Sequence, residues 1–127
     1  MEAKKLFFKE CHLAGRQYHD VDEVWSELQI GTIVELVRDF NNRYDRNAVA
    51  VVYRKKEEGE DSEYLLGFIP ASENETIAQL LEMGWTNIFE CRISKLNPEA
   101  HYENQIRLTI RILRNKASHV SGDIRWD

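Results

Sequence analysis

Between residues 41 and 47 the chain reads Asn-Asn-Arg-Tyr-Asp-Arg-Asn, a tyrosine set among six polar residues, and the apolar run of residues 48–53 follows at once. Asparagine and aspartate accept backbone N–H groups with their side chains and tolerate positive φ, so Asn41, Asn42, Asp45 and Asn47 suit a tight turn without any ligand. A carboxylate, an aromatic ring and the guanidinium groups of Arg43 and Arg46 are nevertheless crowded into that turn. The stretch reads as a turn, a site, or both.

Other chemistries find little support. There is no Ser-His-Asp arrangement, no glycine-rich phosphate loop and no spaced carboxylate pair in an apolar segment, so the chain is not expected to be an enzyme. Glu10, Glu35, Asp39 and Asp45 are the carboxylates that could converge on a metal, but their spacing does not suggest it. His12, His19, His101 and His119 are scattered without HxxxH or HxH spacing. Cys11 and Cys91 lie far apart in apolar-patterned segments, and neither belongs to a CxxC pair. A disulfide framework or a zinc site needs more thiols, closer together; two buried free thiols in a reducing cytosol are the expectation. No cofactor is expected.

The length of 127 residues suits one domain with one core. Seventeen Lys and Arg stand against 22 Asp and Glu, for a formal net charge of −5, which argues against gripping long duplex DNA by bulk electrostatics. Much of that acidity sits in residues 57–63, and a local basic site is compatible with it. No window approaches the ~20 apolar residues that cross a bilayer. Lys9, Glu10 and His12 interrupt the apolar patch near the N-terminus, so it lacks the core of a secretory signal. The expected location is cytoplasmic, with no membrane partner.

Elements must hold the polar turn in place. Residues 6–15, ending at Gly15, suit a strand. Val21, Val24, Trp25 and Leu28 fall at i, i+3, i+4 and i+7 behind Asp20, which predicts a short amphipathic helix ended by Gly31. Residues 32–39 and 48–54 predict two strands joined by the polar turn, as a pair at the heart of a sheet. Residues 55–63 read as a solvated loop, and residues 64–70 as a strand stopped by Pro70. Ser72 and Glu75 form a capping box ahead of Ile77, Leu80 and Leu81, predicting a helix that ends at Gly84. Residues 87–96 and 105–114 alternate, with Phe89, Cys91, Ile93, Ile106, Leu108, Ile110 and Ile112 inward. Trp25, Trp85 and Phe89 are read as core. The fold class is therefore mainly β: six strands and two short α-helices, closed most economically as an OB-like barrel because closure removes exposed edges. Residues 1–114 form the barrel domain and residues 115–127 a tail, expected to be mobile, in which Trp126 could dock.

The string from "AGRQYHD" through "RDFNNRYDRNAVAVVY" to "LLGFIP" resembles the HIRAN domain, whose pattern runs G-x-x-Y-[YH], a short helix, R-[DE]-x-x-N-x-Y-D-x-N-A, a strand and G-[HYF]-[IL]-P. The likeness covers residues 6 to 113 and looks nearest to compact, free-standing bacterial members. It implies an OB-like barrel. In members appended to fork-remodelling helicases of the SWI/SNF class, it also implies a pocket for a 3′-terminal single-stranded DNA end. By that resemblance Tyr18 and Tyr44 sandwich the terminal bases, Asp45 accepts a hydrogen bond from the free 3′-hydroxyl, and Asn41 and Asn42 shape the turn. Gln17, His19, Arg16, Arg43 and Phe68 complete the nucleic-acid-binding set. The implied partners are single-stranded DNA or DNA ends, together with a helicase or other DNA-processing protein.

Departures from the pattern bear on phosphate binding. Gln17 stands where helicase-linked members carry an arginine, with Arg16 one position earlier, and His19 replaces the second tyrosine. Phe68, Pro70 and Ala71 fall in the segment whose histidine and lysine reach phosphates in those members. Arg43, Arg46, Arg92, Arg107 and Arg111 are the candidate substitutes. The alternative is a protein-interaction or small-ligand barrel that kept the scaffold and lost the DNA contacts.

Overall fold

The computed structural model describes residues 4–16 and 19–115. In chain order they form β1 (Lys5–His12), α1 (Val21–Val24) running into a 3-10 turn (Trp25–Glu27), β2 (Ile33–Arg38), β3 (Val49–Glu57), β4 (Glu60–Phe68), α2 (Glu75–Glu82), β5 (Phe89–Leu96), a second 3-10 turn (Tyr102–Asn104) and β6 (Ile106–Leu113). The six strands and two short helices expected from the sequence are present among the described residues, in the expected order. Gln17, Tyr18 and the tail beyond Asn115, including Trp126, lie outside them.

Every strand pairing is antiparallel, in one sheet of order β1-β6-β5-β2-β3-β4. The β2–β3 pair thus sits inside the sheet, as its apolar content predicts. The sheet curls until its two edges meet. Beyond β1, Ala14 and Phe68 exchange two backbone hydrogen bonds of 2.8 and 2.9 Å. The OB-like barrel is joined there by one bridge, without a continuous ladder. Gly67 permits that approach, because a Cβ on it would lie 2.3 Å from the Ala14 carbonyl oxygen.

The core follows from strand alternation. Cys11 and Leu13, Val34, Val49 and Val51, Leu66, Cys91 and Ile93, and Ile106, Leu108 and Ile110 are buried together, capped by Val21 and Val24 of α1 and Ile77, Ala78 and Leu81 of α2. Each such aliphatic side chain stabilises the fold by about 1.5–3 kcal/mol through its removal from water. β3 is buried on both faces over Val49 to Val52, as its unbroken apolar run predicts. Cys11 and Cys91 are free and buried. Burial pushes the Cys11 thiol up to about 11 and the Cys91 thiol higher still.

Four local expectations change. The first helix is a single turn that tightens to 3-10, and Asp20 makes no side-chain cap; its Oδ2 accepts from the Leu65 N–H at 3.2 Å instead. The capping box does not form. Asn74 stands at the N-cap of α2, and residues 70–73 make a separate turn in which the Glu73 N–H bonds the Pro70 carbonyl. Residues 55–63 are strand rather than loop, except for a turn at Glu58 and Gly59, both at positive φ. Opposite charges face each other there, Arg54 with Glu63 and Lys56 with Asp61, so a run that reads as solvated becomes a set of cross-strand pairs. Finally, Trp85 is 52% exposed, because the chain leaves α2 at Gly84 before reaching it; Trp25 and Phe89 do pack against the core.

Candidate functional site

The connection from β2 to β3 is built from three successive Asx turns. Asp39 Oδ1 accepts from the Asn41 N–H (3.1 Å), Asn42 Oδ1 from the N–H groups of Tyr44 (2.9 Å) and Asp45 (3.0 Å), and Asp45 Oδ1 from the Asn47 N–H (2.8 Å). The acceptors recur every third residue. Their short polar side chains satisfy backbone donors that neither flanking strand can reach. The base of the connection closes where the Asp39 N–H donates to the Ala48 carbonyl at 3.0 Å.

Helix α2 braces this connection at two points. At its start, Asn74 is 1% exposed and donates through Nδ2 to Asp45 Oδ2 at 2.6 Å. At its end, Glu82 accepts from Arg38 Nε (2.9 Å) and Nη2 (2.6 Å). Arg38 Nη1 also donates to the carbonyls of Asp39 (3.2 Å) and Ala48 (2.9 Å), and its Nη2 to that of Arg46. One guanidinium, with 8% of its side chain exposed, thereby ties three turn carbonyls to the helix. Hydrogen bonds to charged groups contribute about 1.5–3 kcal/mol, so the turn is held firmly.

What the turn holds firmly, it presents to solvent. Tyr44 is 98% exposed and Phe40 71%, and Arg43 and Arg46 are exposed. Among the described residues neither arginine side chain has an ion-pair partner, whereas Arg16, Arg38, Arg54, Arg92 and Arg107 each meet a carboxylate. Asp45 is half-buried with both oxygens engaged, and each oxygen keeps one further acceptor position. Asn42 is committed to the backbone, and Asn41 is exposed.

The other candidates flank the barrel seam. His19 packs edge-on against Phe68, ring centroids 5.4 Å apart. Arg16 is 5% exposed, paired with Asp22 at 2.8 Å and held 5.4 Å from the Trp25 ring and 5.1 Å from the Tyr102 ring. Its guanidinium therefore ties the start of the loop to two aromatic rings from different parts of the chain. The Ile69 N–H donates to the Val49 carbonyl at 3.0 Å, so the end of β4 lies beside the start of β3, just past the Asx turns. Phe68, His19 and the Tyr44–Asp45 turn thus belong to the same end of the barrel. Arg92 and Arg107 are paired with Glu90 and Glu10 on the β5–β6 side.

Sequence reasoning passed over Arg38, Asn74 and Phe40, and weighed Asp39 only as a metal ligand. The Asp39, Asn42, Asp45 spacing of three was the available signal. Among the described residues no group of His, Cys, Asp and Glu is placed to hold a metal ion. A cavity of about 500 Å³ lies away from these turns, lined by Ile33, Leu36, Leu81 and Phe89 with Arg54 and Glu90.

Comparison with known proteins adds four findings. No curated protein sequence matches the chain. A crystal structure of a Lactobacillus plantarum structural-genomics target superposes with a TM-score of 0.67 at 21% identity, covering 90% of this chain and all of the other. The HIRAN domain of human HLTF superposes with a TM-score of 0.57 at 18% identity, covering 89% of this chain and 82% of that one. At those identities the likeness establishes the fold. The HIRAN domain model matches residues 6–113, nearly all of the strands and helices described above, and the chain belongs to the HIRAN domain family.

Proposed function

We propose that this protein is a nucleic-acid-binding module that takes a single-stranded DNA end on the turn between β2 and β3. The observation that carries this is Tyr44, 98% exposed on a turn braced by Asx bonds and by Arg38, between two arginines that have no ion-pair partner among the described residues. An aromatic ring open to solvent and flanked by free guanidinium groups is the combination that stacks a base and neutralises its phosphate. Membership of the HIRAN family supports the same assignment.

In this proposal Tyr44 and Tyr18 are the residues that stack the terminal bases, and Arg43 and Arg46 contact phosphate. Asp45 accepts from the 3′-hydroxyl at an acceptor position that Asn47 and Asn74 leave open. A 3′-phosphate would bring like charge against that carboxylate, so the free hydroxyl is preferred. Arg16 acts indirectly, since its guanidinium is already engaged by Asp22 and the Trp25 and Tyr102 rings. Binding, with no catalysis, is the activity assigned, and a helicase or other DNA-processing enzyme is the class of partner it would serve. Two buried, unpaired thiols support a reducing, cytoplasmic setting.

A second possibility draws on the cavity between β2, β5 and α2, whose apolar lining and the net charge of −5 suit a small ligand or a protein partner. One titration separates the two. Short oligonucleotides ending in a 3′-hydroxyl should bind more tightly than the same oligonucleotides ending in a 3′-phosphate. Tyr44→Ala should weaken the former about 5- to 150-fold, the equivalent of ~1–3 kcal/mol for one stacked base, with thermal stability unchanged. Equal affinity for both ends would remove the end-sensing role of Asp45, and no binding to either would leave the ligand or protein partner.

A further inference from the structure

Phe40 has no structural duty that the rest of the turn does not already perform. It is the central residue of the first Asx turn, a place equivalent to those of Arg43 and Arg46 in the second and third. The turn is closed by Asp39, Asn42 and Asp45 and braced by Arg38 and Asn74, none of which uses the Phe40 ring to reach a backbone group, and such positions ordinarily take small or polar residues. The ring is nevertheless 71% exposed. Single exposed apolar side chains are common, and Ile30 and Met83 are as open, so it is the surroundings of Phe40 that single it out.

The ring is also braced. The Arg38 guanidinium lies over it, 4.8 Å from the centroid, and that guanidinium is itself fixed by Glu82 and three turn carbonyls. One face of Phe40 thus rests on an immobilised cation, leaving the opposite face to water. A planar apolar face, held in place and next to cationic side chains, is suited to another flat, electron-rich ring whose backbone is negatively charged. Between Phe40 and Tyr44 in sequence stands Arg43, exposed and without an ion-pair partner among the described residues.

We infer that Phe40 is a second base-stacking platform, which extends the single-stranded footprint of this turn by one nucleotide, with Arg43 on the intervening phosphate. This rests on the nucleic-acid assignment for Tyr44 and adds a residue and a length to it. The chemistry needs no particular base, because every base presents a π-face.

The test uses the full chain with fluorescent oligothymidylates of one to five nucleotides and a free 3′-hydroxyl. Phe40→Ala should bind the longer oligonucleotides about 5- to 150-fold more weakly and the shortest one as the unaltered chain does. A 2-aminopurine placed at successive positions should lose its quenching at one position in Phe40→Ala and at a different one in Tyr44→Ala. Phe40→Trp should retain affinity and Phe40→Leu should lose it, because leucine keeps the apolar bulk and removes the π-face. If Phe40→Leu binds as tightly as the unaltered chain, the ring is not a stacking platform. If Tyr44→Ala weakens binding while Phe40→Ala matches the unaltered chain at every length, the inference fails and the assignment of Tyr44 stands. If neither variant changes affinity, both fail together. Loss at every length without rescue by Phe40→Trp also overturns the platform, since it marks a disturbed turn.

Discussion

Gly67→Ala tests whether the barrel is held together at its seam. The added Cβ would sit 2.3 Å from the Ala14 carbonyl oxygen and 3.0 and 3.1 Å from the Leu13 side chain. Ordinary contact needs about 3.5 Å, so the two backbones must part by roughly 1 Å. The hydrogen bonds between Ala14 and Phe68, now 2.8 and 2.9 Å, would then stretch past the limit of a useful bond. Losing both costs about 1–3 kcal/mol in total. Crowding Leu13, which is fully buried, adds about 1–3 kcal/mol. The lower entropy of an unfolded alanine returns at most about 1 kcal/mol. The net is ~1–5 kcal/mol, against the ~5–15 kcal/mol that holds a domain folded. Urea unfolding followed by tryptophan fluorescence should show the midpoint falling by about 0.5–2.5 M, taking a slope of ~2 kcal/mol per molar. A midpoint within about 0.3 M of the unaltered chain, with the same slope, would show that the approach of Ala14 is not needed for the fold.

Two further outcomes concern the ends of the sheet. Glu58 holds φ 38° in the turn between β3 and β4, a conformation that asparagine accepts more readily, so Glu58→Asn should raise stability by about 0.5–1 kcal/mol in the same urea assay. An unchanged or lower midpoint would show that the turn does not carry this strain. Glu90 is held below the usual carboxylate range by hydrogen bonds from Arg92 (3.0 Å) and Lys5 (2.9 Å). Its folded form binds fewer protons than the unfolded chain, so its contribution is present above the ordinary glutamate value of about 4.3 and is lost as pH falls through the lowered folded value. Midpoints measured from pH 7 to pH 3 should fall more steeply for the unaltered chain than for Glu90→Gln. Parallel curves would dismiss the linkage.

Much of the architecture is written locally. Alternation of Ile106, Leu108 and Ile110 against Arg107, Thr109 and Arg111 dictates a half-buried strand, because side chains on an extended backbone point to opposite faces in turn. The apolar run after Asn47 likewise dictates an inner strand, and the asparagines and aspartates before it dictate a turn. The helix boundaries were less legible. The Ser72 and Glu75 pattern is a genuine local preference, but Asn74 is drawn to Asp45, 29 residues away, and the helix starts later. The same holds for Trp85, whose apolar character says nothing of the turn at Gly84 that carries it outward.

For the site the division is sharper. The sequence by itself determined the fold class, the turn and the chemical types gathered on it, since composition and short-range spacing govern backbone preference over a few residues. Only the tertiary structure decided which of those groups are free. Arg16 and Arg43 are alike as residues, yet the path of the chain brings Trp25, Tyr102 and Asp22 around the first and leaves the second in solvent. Arg38 and Asn74 become braces, and Phe40 and Tyr44 become open rings, because burial and hydrogen bonding depend on elements distant in sequence that meet only when the sheet closes.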